Sequence, residues 1–408
     1  MQPLEGRKLW FVGIGGAGMS ALALVARAWG AEVGGSDRAR SSYVERLEAA
    51  GIPVAVGHDA GNVPEAAEVV VSSAIGADNP ELAHSRARGA RTRMRGELLA
   101  ELVALRPSVV VAGAHGKTTT AGMIAFCLDR LGRDPTFLIG GEIPQLGGNA
   151  RAGEGWLVAE GDESDRSLEL LRPQVAVLTN VELDHHATFG SEAEVRELFD
   201  RWLAGAPAAV RGDQLEPLPL ELAVPGEHNR RNAAAALAAL ELTGVEREQA
   251  ERVLPEFRGA GRRFEARGEA AGVRLYDDYG HHPSEIAVTL AAARAAVDGG
   301  RVLVLFQPHL FSRTRHLAHE LGAALAAADA VAVVDVYAAR EEPVAGVDGK
   351  LVVDALAAAR PGMPVAWTPS LEEAARFLSR RARGGDLVLT IGAGDVERAG
   401  RMILEELA

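Results

Sequence analysis

Residues 113–120 read Gly-Ala-His-Gly-Lys-Thr-Thr-Thr. A glycine-hinged turn that ends on a lysine and a hydroxyl can hold phosphate. Backbone N–H groups and a helix N-terminus face the anion, Lys117 neutralises it, and the Thr118 hydroxyl can reach Mg2+. Gly113, Ala114, His115, Gly116, Lys117, Thr118 and Thr119 are therefore candidate nucleotide-phosphate residues. The spacing is tighter than the common G-x-x-x-x-G-K-[ST], because Val111 stands where the first glycine would be. The plainer alternative is a glycine turn with a surface lysine, and the small or polar residues ahead of Lys117 argue against it.

Acids and imidazoles recur at the ends of apolar runs. Glu160 opens Glu160-Gly161-Asp162-Glu163-Ser164-Asp165, and an acid there suits a Mg2+ ligand beside a γ-phosphate. Asp162, Glu163 and Asp165 read as caps, and a solvated acidic turn is the alternative for the whole stretch. Residues 179–186 end in Asp184-His185-His186, a pairing that can hold a second Mg2+ or a substrate. Gly13, Gly15 and Gly18 form G-x-G-x-x-G, with Asp37 near the ~20-residue distance at which an acid meets a ribose hydroxyl. These glycines do not separate an NAD-type domain from one holding another nucleotide. Ser72 and Ser73 fall at a strand's C-terminal end, either as ligand contacts or as caps of the next turn; His58 reads as a loop residue. Later, Asp277-Asp278-Tyr279-Gly280-His281-His282, Gln307-Pro308-His309, Asp335-Val336-Tyr337 and Gly392-Ala393-Gly394-Asp395 each follow an apolar run. Together they would line one edge of a sheet.

The elements that must position these residues alternate in type. Short β-branched runs predict strands at Lys8–Val12, 32–35, Val54–Val56, Glu68–Val71, Ser108–Ala112, 156–159 and Val175–Leu178. Periodic segments predict helices over 19–29, 43–50, 121–131, 233–242 and 247–254. Over 199–224 the pattern weakens, and the Ala/Gly/Pro-rich 204–209 with Pro217-Leu218-Pro219 suggests a shortened connector. Asn229 and Asn232 read as caps of the alanine-rich helix; with His228 they also suit a purine. The glycine-arginine stretch 257–263 reads as a hinge. Beyond it strand–helix alternation resumes as another doubly wound sheet. The expected class is α/β in three domains: Rossmann-like 1–104, phosphate-loop 105–261 and Rossmann-like 262–408.

Composition narrows the partners. The chain has 408 residues, 48% hydrophobic and 24% charged, with a net charge of −13. That balance disfavours nucleic acid or an anionic membrane as a main partner. The single cysteine, Cys127, cannot form an internal disulfide and reads as a core residue. No stretch approaches the ~20 apolar residues of a membrane span, and no secretory core follows the start. A cytoplasmic protein, monomeric or homodimeric, is expected.

Taken in order, the stretches GIGGAGMSALA, SSAI with DNPE, AGAHGKTTT, AEGDESD, TNVELDHH, GEHNRRNAAAA, GAGRRFE, YDDYGHHPSEI, FQPHLFSRTRHL, DVYAAREEP and GAGD resemble the Mur ligases. They run from residue 13 to 395, nearly the whole chain, and the short phosphate loop is that family's own form. The resemblance implies an ATP- and Mg2+-dependent ligase of peptidoglycan synthesis, joining L-alanine to the carboxylate of UDP-N-acetylmuramate. It assigns the UDP of the substrate, rather than NAD, to Gly15, Gly16, Gly18, Asp37, Ser72 and Ser73. Lys117 and Thr118 would hold ATP phosphates and Mg2+, with Glu160 completing that metal site and His185 ligating a second Mg2+. His228, Asn229 and Asn232 would meet the adenine. Asp335 and the Asp277-Asp278 pair would shape the nucleotide's outer wall. Tyr279, His281 and Arg313 would close over the reacting groups and the amino acid.

The implied chemistry has a physical order. A carboxylate is a poor acylating agent, and transfer of the γ-phosphoryl makes an acyl phosphate with a good leaving group. Lys117, Mg2+ and Arg313 would offset charge in that transfer and in the later tetrahedral intermediate. The amine must attack neutral, with His281 as a base, and domain closure would exclude water. Two departures stand out. The middle domain is short between the DHH and GEHN stretches, so accessory β-hairpins are expected to be missing. Leu310 also follows His309 where some relatives carry a second arginine, which would put more of the contact on Arg313, with Arg315 sharing it. The competing functions are a ligase that recycles a murein tripeptide, an NAD-dependent oxidoreductase, which leaves Lys117 idle, and a catalytically dead homologue.

Overall fold

The computed structural model describes residues 2–186, 188–339 and 341–408. The chain divides into two compact units, Met1–Glu182 with Ser191–Ala260, and Leu183–Gly190 with Gly261–Ala408.

The first unit holds two sheets. One is five-stranded and wholly parallel, in the spatial order Val54–Val56, Glu32–Asp37, Lys8–Val12, Glu68–Val71, Thr92–Met94. The other is six-stranded, in the order Ala208–Arg211, Val175–Leu178, Ser108–Ala112, Leu157–Glu160, Thr136–Ile143, Gly148–Arg151, and only its last pair is antiparallel. Strand Ser108–Ala112 is central and buried along its whole length, as a Val-rich strand covered on both faces by helices should be. Helices Lys117–Arg130 and Glu227–Leu242 pack their small and aliphatic residues into its core. Cys127 lies in that core. Burial pushes its thiol up to about 12, so it packs as an apolar group and does not react.

In the second unit the sheet order is Glu265–Ala270, Val273–Asp278, Leu387–Ile391, Val302–Phe306, Ala330–Val333, Val365–Trp367. Only the first pair is antiparallel. The register pairs Phe306 with Ile391 and Asp278 with Ile391, so the polar runs that follow these strands emerge at one sheet edge.

Several expectations need correction. The expected connector over 199–224 contains the strand Ala208–Arg211, whose alanines gave little β signal and which is held by pairing with Val175–Leu178. It is preceded by helix Glu192–Ala204, capped by Ser191, whose side chain accepts from the Glu194 amide. The helix expected from 121 begins at Lys117, and the one expected from 233 begins at Glu227. Both start on a glycine with positive φ, Gly116 at 79° and Gly226 at 104°, and such glycines give no helical periodicity to read. Asn229 and Asn232 therefore lie inside the helix and do not cap it. The strands Thr136–Ile143, Gly148–Arg151 and Glu265–Ala270 and the helices Arg95–Ala104 and Glu397–Leu407 were not anticipated.

Candidate functional site

The phosphate loop leaves the C-terminal end of the central strand. Gly113 has φ 131°, and a Cβ there would lie 2.2 Å from Thr179 Oγ1. The adjoining strand end holds the loop: Thr179 Oγ1 and Asn180 Nδ2 donate to the His115 carbonyl at 2.6 and 2.9 Å, and the His115 amide donates to Asn180 Oδ1 at 3.0 Å. His115 Nε2 also lies 2.8 Å from Glu182. Behind the loop, a Cβ on Gly116 would meet Asn232 Oδ1 at 2.4 Å, so Asn232 packs directly on it.

Lys117 and Thr118 point into a group of carboxylates. Lys117 Nζ donates to the Gly113 and Ala114 carbonyls at 2.5 and 3.2 Å and to both oxygens of Glu163 at 3.0 and 3.3 Å. Thr118 Oγ1 donates to Glu160 Oε2 at 3.1 Å, while Glu160 Oε1 accepts from the Gly140 amide at 2.6 Å. A hydroxyl and a carboxylate oxygen in that relation are hard donors suited to Mg2+. Asp162 and Asp165 do cap turns as the sequence suggested, accepting from the Ser164 and Ser167 amides at 2.8 and 3.0 Å, whereas the role of Glu163 was missed. Asp162 and Asp165 bind Arg95, and Glu163 is the partner of the loop lysine.

The ionisation of this group follows from burial and neighbours. Burial works against the Lys117 charge, but Glu163, Asp162 and Glu160 more than offset it and hold the ammonium above its ordinary range. Burial favours a neutral Asp162, yet Arg95 and the Ser164 hydrogen bonds hold it well below the usual carboxylate range. Glu163 goes the other way: burial, aided by Asp162 and opposed by Lys117, pushes it up to about 7. A carboxyl raised in the folded state binds its proton more readily there than in the unfolded chain. Its contribution to stability is thus complete below about 4.5 and lost as pH rises through 7. Glu163→Gln is expected to flatten the fall in unfolding free energy across that window, as read by urea denaturation at stepped pH.

The glycine turn of the first sheet is closed by the acid expected at a ribose. Gly13 and Ile14 amides donate to the Ser36 carbonyl at 2.8 and 2.9 Å, and the Gly15 amide donates to Asp37 Oδ2 at 2.8 Å. A Cβ on Gly15 would lie 2.9 Å from that same oxygen. Gly16 is the N-cap of helix Ala17–Ala28, and a Cβ on Gly18 would sit 3.3 Å from Arg95 Nη1. Arg95 therefore stands beside this turn while bound to Asp162 and Asp165. Ser72 Oγ accepts from the Ala74 amide at 3.3 Å, so it caps the turn after its strand; Ser73 is half-buried beside it. His58 is more than a loop residue, since its Nδ1 is 3.0 Å from Ser36 Oγ.

At the start of helix Glu227–Leu242, Asn229 Nδ2 donates to the Pro225 carbonyl at 2.7 Å and Asn232 Nδ2 to Asn229 Oδ1 at 3.4 Å. A Cβ on Gly226 would lie 2.5 Å from the His228 ring, which fixes that glycine beside the imidazole.

The second unit holds the remaining candidates. His281 Nδ1 donates to the Tyr279 carbonyl at 3.1 Å, which leaves Nε2 as the basic nitrogen, and the His281 amide donates to Glu285 at 2.9 Å. The Arg262 and Arg263 guanidinium carbons lie 5.2 and 5.3 Å from the Tyr279 ring centroid. Burial pushes the Tyr279 phenol up, partly opposed by these two cations. Asp277 is bound by Arg262 Nε at 2.8 Å and Thr390 Oγ1 at 2.5 Å. Asp278 accepts from the Phe264 and Gly280 amides at 2.7 and 2.8 Å, and burial pushes it up to about 6. Both acids hold the loop together. Asp335 is exposed and accepts from Trp367 Nε1 at 3.0 Å.

Arg313 holds an acid of its own unit. Its guanidinium is 3% exposed and grips Asp184, Nε to Oδ1 and Nη2 to Oδ2, both at 3.0 Å. Nη1 donates to His309 Nδ1 at 2.9 Å and to the His309 carbonyl at 3.2 Å. Burial raises the Asp184 carboxyl, but His281, Arg313 and His185 together hold it well below its ordinary range. Asp184 was read from the sequence as the acid beside His185, and its pairing with Arg313 was not. Leu310 is buried at φ 69°, its amide donating to the Tyr337 carbonyl at 3.0 Å. Arg315 is exposed.

Family models match three stretches: the Mur ligase family catalytic domain over residues 8–106, the Mur ligase middle domain over 111–210, and the Mur ligase glutamate ligase domain over 262–394. Among curated relatives, the UDP-N-acetylmuramate–L-alanine ligase of Renibacterium salmoninarum is 44% identical, over 98% of this chain and 96% of that protein. The protein of the same description from Rubrobacter xylanophilus is 42% identical, over 98% of this chain and 100% of that one. Among solved structures, the UDP-N-acetylmuramate–alanine ligase of Thermotoga maritima superposes with a TM-score of 0.83 at 28% identity, covering 98% of each chain. A murein peptide ligase of Psychrobacter arcticus has the same fold, with a TM-score of 0.72 at 24% identity over 98% of this chain and 99% of that one.

Proposed function

The chain belongs to the Mur ligase family, and on that footing we propose that it joins L-alanine to the carboxylate of UDP-N-acetylmuramate at the expense of ATP, in the cytoplasm, as a step of peptidoglycan precursor synthesis. The observation that carries this reading is the phosphate loop, where a half-buried lysine and the Thr118–Glu160 oxygen pair meet at the end of one strand. A hydride-transfer enzyme has no use for that arrangement. Identities above 40% across whole relatives with this activity in their names support the substrate assignment.

In this reading residues 1–104 take the UDP-sugar, through Gly15, Gly16, Gly18, Asp37, Ser72 and Ser73. Residues 105–261 take ATP through the loop from Gly113 to Thr119, with His228, Asn229 and Asn232 at the base; Asp335 is a weaker candidate on the same nucleotide. Residues 262–408 serve the amino acid through Tyr279, His281 and Arg313. Lys117 must leave Glu163 to meet the triphosphate, and its charge then offsets the charge that develops on the transferring phosphoryl. The substrate carboxylate attacks that phosphoryl, the bond from the γ-phosphorus to the bridging oxygen breaks, and ADP leaves an acyl phosphate behind. His281 Nε2 takes a proton from the alanine ammonium, the amine attacks the acyl carbon, and phosphate leaves. Mg2+, held by Thr118 and Glu160 with a second ion at His185, would supply charge neutralisation on the phosphate oxygens.

Two measurements test the assignment. With all three substrates present, mass spectrometry should find UDP-N-acetylmuramate increased by one alanyl residue; with hydroxylamine replacing alanine, the hydroxamate of UDP-N-acetylmuramate should accumulate. Alanine consumption without either product would sink the proposal. Glu160→Gln is expected to raise the Mg2+ concentration for half-maximal rate at least about tenfold, and an unchanged Mg2+ titration would remove Glu160 from the metal site.

A further inference from the structure

The loops that follow strands Ser108–Ala112 and Leu157–Glu160 leave neighbouring strand ends, since Val111 pairs with Glu160 in parallel register. The second loop is braced along its length. Asp162 and Asp165 cap its turns and are themselves held by Arg95. The Arg166 amide donates to the Glu163 carbonyl at 3.0 Å, and the Leu168 amide to the Asp162 carbonyl at 3.0 Å. Glu163 therefore reaches the first loop from a fixed backbone. Both of its oxygens meet Lys117 Nζ, while the Gly113 and Ala114 carbonyls also accept from the ammonium. An ammonium has three donors, and these groups occupy all of them. The lysine of the phosphate loop is thus turned into its own surroundings, with a carboxylate where an anionic ligand would offer its oxygens.

We propose that Glu163 is an internal stand-in for phosphate: it keeps Lys117 placed in the empty loop, and the β- and γ-phosphates of ATP must displace it from the ammonium in order to bind. The inference rests on the reading of residues 113–119 as the ATP phosphate loop. Glu163 is a positioning residue in this account and acts on the nucleotide only through Lys117. Its presence lowers the affinity for polyphosphate, because one charge-assisted contact inside the protein is given up for another with the ligand. A nucleotide that ends at its α-phosphate incurs no such loss, since the loop lysine reaches the β- and γ-phosphates. Glutamine is the informative replacement. It keeps the shape of the side chain and one oxygen for the ammonium, and it removes the charge.

The test is calorimetric titration of the full chain with a non-hydrolysable ATP analogue and, separately, with AMP, both at saturating Mg2+. The pH is set at about 8, where a carboxyl pushed up to about 7 is mostly ionised. Glu163→Gln is expected to bind the ATP analogue about tenfold more tightly than the parent. It should bind AMP as the parent does, which also shows that the variant is folded. In a Lys117→Ala background the same substitution should change neither affinity, because no ammonium remains to be released. Parent-like or weaker binding of the ATP analogue by Glu163→Gln would overturn the proposal. So would a gain shared by AMP, or a gain that persists without Lys117. A parent protein that binds neither nucleotide would overturn the reading of the loop itself, and the proposal with it.

Discussion

Lys117→Ala is expected to lower L-alanine-dependent phosphate release by about 10³-fold or more, the loss that follows when a pre-placed charge is taken from a phosphoryl-transfer site. The structure explains why no neighbour can substitute. The ammonium is fixed by the Gly113 and Ala114 carbonyls and by Glu163, so it is aimed from within the loop itself. Arg95 is already committed to Asp162 and Asp165. Removal of the lysine also leaves Glu163, whose side chain is 4% exposed, without its cation. That carboxyl is already pushed up to about 7, so it takes up a proton and the fold survives near neutral pH. The variant should therefore be folded by circular dichroism while inactive. A rate within tenfold of the parent would remove Lys117 from the mechanism.

Gly113→Ala is expected to cost about 3 kcal/mol of stability and to weaken nucleotide binding about 100-fold. Two penalties act at one atom. The backbone sits at φ 131°, and the added Cβ would meet Thr179 Oγ1 at 2.2 Å and the Asn180 carbonyl and amide at 2.9 and 3.0 Å. Thr179 Oγ1 and the side chain of that same Asn180 hold His115, so a shift that relieves the clash loosens the loop that must present its amides to phosphate. Gly132→Ala separates the two penalties. Gly132 has φ 69° with nothing within 4 Å of its virtual Cβ, so that change should cost only about 1 kcal/mol and leave binding intact. Denaturation and calorimetry with an ATP analogue read both quantities. Equal effects from the two variants would mean that the Thr179–Asn180 clamp contributes nothing.

The alternation of strands and helices was legible wherever a strand was buried on both faces. Ser108–Ala112 and Val302–Phe306 are apolar runs because both faces are covered. Ala208–Arg211 was not legible, because an edge strand of small residues owes its conformation to the partner it pairs with. Helix starts at Lys117 and Glu227 were hidden for a related reason: the glycine before each supplies a backbone angle, which leaves no trace in periodicity. Within the candidate site, motif residues could be named from spacing and from the resemblance to Mur ligases, and their partners could not. Glu163 beside Lys117 is 46 residues away in sequence, and Arg313 is 129 from Asp184. Only tertiary structure makes such pairs.

The most direct measurement is steady-state phosphate release by the parent protein with UDP-N-acetylmuramate, ATP and Mg2+, with either L-alanine or the murein tripeptide as acceptor. The account predicts release that depends on L-alanine and is near background with the tripeptide. Release with the tripeptide alone would contradict it and move the enzyme from precursor synthesis to recycling.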